Sequence, residues 1–454
     1  MSVSRGTPET IVAIATPSGR GGIGVVRLSG SLVKNIMLGV LSRVVEPRHA
    51  TYAAFQDGAG VGIDHGLALY FPAPHSYTGE DILELQGHGG PAVMSRLLKR
   101  CVELGSRLAR PGEFSERAFL NDKLDLAQAE SVADLIEAAS EEAARSAVRT
   151  LTGEFSKRVH QLTDALIDLR MHVEACIDFP EEEIEPADRA AQISKLQRIR
   201  TLKFNLSREA QQGVVLREGL TVVLIGRPNV GKSSLLNCLA GEEVAIVTPI
   251  AGTTRDHVRA TIQLEGVPIH LIDTAGLRDT TDDAVEKIGI ARTWAAIEKA
   301  GAALLIAEAG EMAGRNEAEL LRCLPPNLPT AWVYNKIDLY QSTGVSRGTT
   351  KAGNHVSLFV SALTGEGIDS LRAWLLEVAG WHPGNEGVFL ARERHMVALA
   401  TAESHLEAAS FCVAQYELFA EELRLAQIAL SSITGGFTPD NLLGEIFSRF
   451  CIGK

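Results

Sequence analysis

The sequence predicts an α+β N-terminal domain, an all-α helical domain, and an α/β domain inserted within the helical one. Three changes of texture along the 454 residues carry that reading. Residues 1–120 are rich in glycine and short apolar runs, residues 121–212 hold a single glycine (Gly153), and from about Gly219 to Trp381 apolar strands alternate with helical segments. At ~150 residues per domain the length also suggests about three domains. The 45% hydrophobic and 22% charged content is that of a folded chain rather than a disordered one.

In the first region the apolar runs Thr10–Ala15, Ile23–Leu28, Leu67–Phe71 and Ile82–Leu85 read as strands between turn-type segments, with a helix near Ala92–Leu104. In the second, Leu124, Leu126, Ala127, Ala129, Val132, Leu135 and Ile136 recur at helical spacing, and long helices follow with a break near Pro180–Pro186. In the third, Leu220–Ile225, Ile269–Ile272, Ala302–Ile306, Ala331–Tyr334 and Leu358–Val360 read as buried strands of a parallel sheet. Residues 340–355 are polar and read as a surface loop. Val388–Thr434, free of Gly and Pro, returns to helix. Two helices bury their apolar stripes poorly alone, so these are expected to pack on the helices of 121–212. The expected domains are 1–120, 121–216 with 383–454, and 217–382 inserted between those two helical parts.

The net charge of −12 argues against wholesale coating of nucleic acid but allows a local basic patch. Arg96, Lys99, Arg100, Arg107 and Arg110 are one such stretch, equally readable as an exposed helix face. The acidic residues Glu174, Asp178, Glu181, Glu182, Glu183 and Glu185 read as a solvated face rather than a metal site. No apolar run approaches the ~20 residues that span a bilayer, and Ile11–Ala15 is too short for a signal-peptide core. The six cysteines are scattered with no CxxC pair, which fits a reducing compartment. The expectation is a cytoplasmic protein with no membrane partner.

The segment Gly226–Ser233 (GRPNVGKS) matches the phosphate-binding P-loop pattern, between an apolar strand and the helix Ser234–Ala240. Glycines let the backbone wrap a phosphate, and the loop N–H groups and helix N-terminus face the anion. Lys232 would reach the β- and γ-phosphates, and Ser233 would ligate Mg²⁺. Asp273-Thr274-Ala275-Gly276 follows a strand, with a carboxylate suited to the Mg²⁺ surroundings and a Gly276 amide suited to the γ-phosphate. Thr253 and Thr254 lie between, where a switch threonine contacts Mg²⁺. Asn335-Lys336-Ile337-Asp338 follows another strand. A carboxylate accepts from both the ring N–H and the exocyclic amine of guanine, so Asp338 selects GTP over ATP. Ser361-Ala362-Leu363 would offer a backbone amide to the guanine oxygen. The nucleotide set is therefore Asn229, Val230, Gly231, Lys232, Ser233, Ser234; Thr248, Pro249, Ile250, Ala251, Gly252, Thr253, Thr254; and the two later motifs with Ser361 to Leu363. Leu277 stands where small GTPases carry a water-orienting glutamine. Glu286 and an ion near Asn229 are the candidates to replace it, and spacing does not choose between them.

Motifs outside this region narrow the reading. They are residues 15–29 (ATPSGRGGIGVVRLS), 76–81 (SYTGED), 86–90 (QGHGG), 110–121 (RPGEFSERAFLN), 123–128 (KLDLAQ), 178–182 (DFPEE) and the terminal 450–454 (FCIGK). With these the whole chain resembles the tRNA-modification GTPase family MnmE, also called TrmE. The P-loop domain motifs alone would also suit a ribosome-assembly GTPase, a binding module rather than a modifying enzyme, but the N-terminal motifs and the terminal CIGK argue against that.

The resemblance implies a tetrahydrofolate-binding N-terminal domain that also dimerises the chain, a helical domain and an inserted P-loop G domain. It implies action with an FAD-dependent partner, MnmG or GidA, in a heterotetramer, with FAD on the partner only. Together they would install an aminomethyl or carboxymethylaminomethyl group on carbon 5 of the wobble uridine of certain tRNAs. A 5-formyl- or methylene-tetrahydrofolate would supply the one-carbon unit, and GTP hydrolysis would be required.

By the same resemblance Arg27, Glu84, Lys123 and Lys454 bind folate. A cation and a carboxylate acceptor are sensible partners for its carboxylates and pterin. K⁺ would be bound by Asn229, Thr248, Ile250 and Thr253, Mg²⁺ by Ser233 and Thr254, and Glu286 would be catalytic. Pro249 departs from the family, which often has an acidic residue there, and so bears on the shape of the K⁺ loop. Cys451 is carried as a second catalytic candidate, either structural or acting near the folate or tRNA chemistry. Its CaaX-like setting fails as a lipidation signal, because Lys454 is a poor final residue and no polybasic run precedes it.

Overall fold

The computed structural model describes residues 9–178, 186–227, 229–240, 258–273, 300–310, 324–340, 349–352, 355–382, 388–436, 440–448, 450 and 453. The chain divides into two compact units, one of residues 1–136, 150–200 and 398–454, the other of residues 137–149 and 201–397.

The first unit holds a six-stranded sheet of order β3-β4-β5-β2-β1-β6. Its strands are β1 (Ile11–Ile14), β2 (Gly21–Ser29), β3 (Thr51–Gln56), β4 (Gly62–Phe71), β5 (Ile82–Gly89) and β6 (Arg107–Leu108). All pairs are antiparallel except β1 with β6. Alternation sends Val26 and Leu28 of β2, Ala68 and Tyr70 of β4, and Leu83 and Leu85 of β5 to one face. There they bury against helix α1 (Val33–Leu41) and helix α2 (Pro91–Glu103), through Ile36, Met37, Val40, Met94 and Leu97. Pro91 stands in the first turn of α2, where its missing N–H costs nothing. The opposite face carries Arg27 and Glu84, and its β1 end is covered by Phe114 of helix α3 (Glu113–Leu120). Helices α1 and α3 and strand β3 were not expected from the sequence.

Glu113, with only 3% of its side chain exposed, is held by Arg107 at 2.6 and 2.8 Å, Arg117 at 3.0 Å and the Arg110 amide at 2.9 Å. Burial alone would raise the Glu113 pKa. The Arg107 hydrogen bonds, the Arg110 amide and Arg117 outweigh it and hold the carboxyl at about 2, below its usual 4.5. A depressed folded-state pKa adds stability that is present above the ordinary value and lost as pH falls toward 2. Glu113→Gln is therefore expected to cost ~3–5 kcal/mol at neutral pH, the range for breaking a buried pair. It should also flatten the acid limb of stability between those two pH values. Thermal unfolding across that range tests this, and parallel acid limbs for both proteins reject it.

The helical part begins with α4 (Leu126–Glu137), α5 (Glu141–Leu151), α6 (Glu154–Asp178) and α7 (Pro186–Glu218), and ends with the helices Glu393–Phe411, Tyr416–Thr434 and Asp440–Ser448. Leu126, Ala129 and Ala133 of α4 share one cluster with Ile446, Phe447 and Phe450, so the chain's last turns seal the first helix of this region. Among the described residues no helix is long and apolar enough to cross a membrane.

The second unit holds a seven-stranded sheet of order β12-β13-β11-β10-β7-β9-β8. Its strands are β7 (Leu220–Gly226), β8 (Val258–Leu264), β9 (Val267–Asp273), β10 (Ala302–Glu308), β11 (Thr330–Asn335), β12 (Thr349–Ala352) and β13 (His355–Phe359). The five middle strands are parallel, as expected, and both edges are antiparallel. The edge corrects one expectation: 340–355 is not all loop, because Thr349–Ala352 pairs with β13. Thr-Thr-Lys-Ala is short and carries no apolar alternation, so this edge strand leaves little trace in the sequence.

Candidate functional site

The parallel register sets the carboxyl ends of the middle strands side by side. Gly226 of β7 pairs with Ile306 of β10, Glu308 with Asn335, and Leu224 with Asp273 of β9. In an open α/β sheet such a carboxyl edge is where ligands bind. The P-loop leaves β7 there and enters helix α8 (Lys232–Ala240), with the Leu235 amide closing on the Gly231 carbonyl at 2.8 Å.

Two residues of the loop sit in the left-handed region, Asn229 at φ 67° and Gly231 at φ 94°. Gly231 has no substitute: a Cβ there would lie 2.2 Å from Asn335 Nδ2. The P-loop thus packs directly on the NKID motif. Asn335, 2% exposed, donates from Nδ2 to the Val230 carbonyl at 2.9 Å and accepts at Oδ1 from the Ala362 amide at 3.0 Å. One buried amide ties together three loops that lie far apart in sequence. Lys232 Nζ donates to the Gly226 and Arg227 carbonyls at 2.5 and 3.2 Å.

Asp338 accepts at Oδ1 from Ser361 Oγ at 2.6 Å. Ser361 is fully buried, and its Oγ also accepts from the Thr364 amide at 3.2 Å. The Ile337 amide meets the Val360 carbonyl at 3.3 Å, closing the two loops on each other. The carboxylate is therefore oriented from one side while its other oxygen is not engaged by that hydroxyl. Leu363, 85% exposed, stands beside this pair.

Of the sequence-predicted nucleotide residues, hydrogen bonds join Val230, Asn335 and Ala362, and Asp338 with Ser361, while Gly231 packs on Asn335. Ser233 and Ser234 lie exposed in the first turn of α8. The residues 248–254, 274–276, Leu277, Glu286, Cys451 and Lys454 lie outside the described residues, as does the Asp273 side chain.

A second cluster forms on the free face of the first sheet. The β2–β5 register places Arg27 opposite Glu84, and Arg27 Nε and Nη2 bind Glu84 Oε1 at 2.9 and 2.8 Å. The guanidinium lies 5.8 Å from the Tyr77 ring centroid and 5.9 Å from that of Phe114. Tyr77 Oη meets Ser115 Oγ at 2.8 Å, and burial pushes its phenol pKa up. Arg27 Nη1 reaches the Gly453 carbonyl at 3.4 Å, which brings the C-terminus to this cluster. Gly453 is at φ 98°, and a Cβ there would come 2.6 Å from the Ile14 carbonyl. Lys123, exposed, adjoins Gly79, whose Cβ would lie 3.1 Å from Lys123 Cε. Residues 77–79 therefore link Lys123 to Arg27. Tyr77, Phe114 and Gly453 were not singled out in the sequence, although all three lie inside its motifs.

Two family descriptions match the chain, the MnmE helical domain over residues 126–451 and the N-terminus of the GTP-binding protein TrmE over residues 10–123. The tRNA modification GTPase MnmE of Chromobacterium violaceum is 57% identical over 449 residues, covering 99% of each chain. The chain belongs to the MnmE family. The MnmE proteins of Thiobacillus denitrificans, 57% identical over 447 residues, and Azoarcus sp., 58% over 448, each match across 98% of both chains. Among solved structures, the G domain of the T. maritima FeoB iron transporter is 26% identical over 35% of this chain and 98% of its own, with a TM-score of 0.24. As an MnmE-family chain it has the architecture predicted from the sequence: an α+β N-terminal domain, a helical domain and an α/β P-loop domain.

Proposed function

We propose that this chain, which is a tRNA modification GTPase by its family, hydrolyses GTP at the β7–α8 loop. In this reading it works with an FAD-dependent partner of the MnmG type to modify carbon 5 of the wobble uridine, with a one-carbon unit drawn from a tetrahydrofolate. The observation that carries the nucleotide half is the Asn335 amide, which joins the P-loop to the Ala362 loop beside a Ser361-oriented Asp338. Such a cluster binds phosphate and base as one unit. Mass spectrometry of wobble uridines from a strain lacking the protein tests the whole reading. Unmodified uridines are the expected result, and a normal modification pattern would reject it.

The residues divide the work. The α8 N-terminus and the Lys232 ammonium hold the phosphates. Asp338 accepts from the guanine edge, and the backbone of Ser361 to Leu363 closes on the base. A Ser233 hydroxyl at the first turn of α8, with Asp273 on the adjoining strand, is an all-oxygen donor set that fits Mg²⁺. Ser233 and Thr254 would hold that ion. Asn229 and the segment Thr248, Ile250, Thr253 would hold K⁺, which supplies positive charge to the transferring phosphoryl group. Glu286 would position the water.

On the first sheet Arg27, Glu84 and Lys123 would hold the folate, with Lys454 as a further ligand and Cys451 as a catalytic candidate. A paired cation and carboxylate, the cation near two aromatic rings, fit a pterin and its glutamate tail. In this reading residues 1–120 form the folate and dimerisation domain, and 217–382 the G domain inserted in the helical domain of 121–216 and 383–454. The single helical-domain match running from 126 to 451, across β7 to β13, supports that insertion. The working assembly is a homodimer joined by the partner into a cytoplasmic heterotetramer.

Arg27→Ala and Lys123→Ala are expected to abolish wobble modification and leave GTP hydrolysis largely intact. Lys123 is the cleaner arm, because removing Arg27 also leaves the part-buried Glu84 without its partner. Calorimetry with 5-formyltetrahydrofolate checks the site, and undiminished binding by both variants would exclude it.

A further inference from the structure

Glu308 belongs to none of the motifs above, yet it lies beside the base-selecting turn. It is the last residue of β10, and the parallel register pairs it with Asn335. Each of its carboxylate oxygens has its own donor. Lys336 Nζ reaches Oε2 at 2.8 Å, and Tyr340 Oη reaches Oε1 at 3.0 Å. Lys336 and Tyr340 flank Asp338, two residues to either side. The Lys336 and Tyr340 hydrogen bonds hold the Glu308 carboxyl below its usual range, so it is ionised when it makes them.

The turn needs such support. Lys336 sits at φ 65°, a left-handed conformation that a non-glycine residue keeps only when its surroundings impose it. The short 3₁₀ turn Ile337–Tyr340 that follows carries Asp338. Its far end is docked by the Tyr340 ring, which lies so close to Gly310 that a Cβ there would approach it to 2.5 Å. The Ala309 amide donates to the Asn335 carbonyl at 2.9 Å, tying the chain just past Glu308 to the start of the same turn.

We propose that Glu308 is a positioning residue for base selection: by binding Lys336 and Tyr340 at once, it pins both ends of the turn from which Asp338 projects toward guanine. This rests on the reading of Asp338 as the guanine acceptor. Ser361 orients the carboxylate, and Glu308 fixes the backbone beneath it. Either constraint alone leaves the acceptor free to swing away from two donors whose hydrogen bonds are directional.

The test uses the full-length protein with GDP and with IDP, whose base lacks the exocyclic amine. The wild type should prefer GDP. Glu308→Gln should weaken GDP binding about tenfold, as loss of a charge-assisted hydrogen bond does, and shrink the GDP-over-IDP preference toward one. GTP turnover should lose more in kcat/KM than in kcat. Tyr340→Phe keeps the ring against Gly310 and removes only the hydroxyl, so it folds normally and should shift the preference the same way by less. The double variant should be no worse than Glu308→Gln, because both act through one carboxylate. Glu308→Asp, which keeps the charge, should recover part of the preference. If the wild type does not prefer GDP, the Asp338 assignment falls and the pin with it. If the wild type prefers GDP while Glu308→Gln and Tyr340→Phe keep the full preference, whatever their melting temperatures, only the pin falls.

Discussion

Asp338→Asn is expected to weaken GDP and GTP binding by ~10²- to 10⁴-fold, from two charge-assisted hydrogen bonds at ~1.5–3 kcal/mol each. The same change should improve binding of the xanthine nucleotides. The neighbouring hydroxyl sets the direction of that swap. Ser361 Oγ donates to Asp338 Oδ1 at 2.6 Å, and in asparagine only the carbonyl oxygen can take that hydrogen bond. The amide NH₂ is then turned toward the base. It opposes the ring N–H and amine of guanine but complements the carbonyl that xanthine carries in place of the amine. Competition binding with XDP and GDP measures the inversion. A variant that keeps its GDP affinity and gains none for XDP would place the base elsewhere. Ser361→Ala should blunt the xanthine gain, since the amide then loses the hydroxyl that orients it.

The motifs GRPNVGKS, NKID and SAL were legible because phosphate and base chemistry restricts both residue type and order along the chain. Their division of labour was not. Asn335 reads as a nucleotide contact in the motif, whereas its side chain is spent on the Val230 carbonyl and the Ala362 amide. That role needs the two loops brought together by the β10–β11–β13 register, which no local pattern encodes. Glu308 left no signal at all, because a single glutamate ending an apolar strand is an ordinary surface residue until its neighbour across the sheet is known.

Arg27 and Glu84 illustrate the converse. They are 57 residues apart, and only the antiparallel β2–β5 pairing makes them partners. The alternation that buries Val26, Leu28, Leu83 and Leu85 forces both to the other face. The apolar pattern thus contained the pair implicitly, once the register was known. The unexpected helix α1 has a physical reason too. Its segment Val33–Leu41 is short and follows Gly30 in a glycine-rich region, so the turn signals around it outweigh two turns of helical periodicity.

GTP hydrolysis is expected to run ~10²-fold faster in K⁺ than in Na⁺, the scale on which one group stabilising transition-state charge acts. Leu277 supplies no side-chain amide or charge where a glutamine would orient water, so the missing stabilisation has to come from another group. Asn229 is exposed and held at φ 67°, in the loop proposed to hold the phosphates. Asparagine is one of the few residues that tolerates this conformation, so its presence admits a purely conformational explanation. Two substitutions separate the explanations. Asn229→Gly accepts the left-handed backbone at no cost but removes the amide oxygen, whereas Asn229→Ala removes the oxygen and strains the loop. If the oxygen binds the ion, both variants lose the K⁺ advantage, and only Asn229→Ala also binds nucleotide less well. If the residue merely shapes the loop, Asn229→Gly keeps wild-type rates in K⁺. Glu286→Ala should slow hydrolysis in both salts while sparing nucleotide binding, because positioning water is separate from holding the phosphates. The smaller Na⁺ fits oxygens spaced for K⁺ poorly, so the comparison is made at matched ionic strength. Equal wild-type rates in the two salts would take the ion out of the reaction.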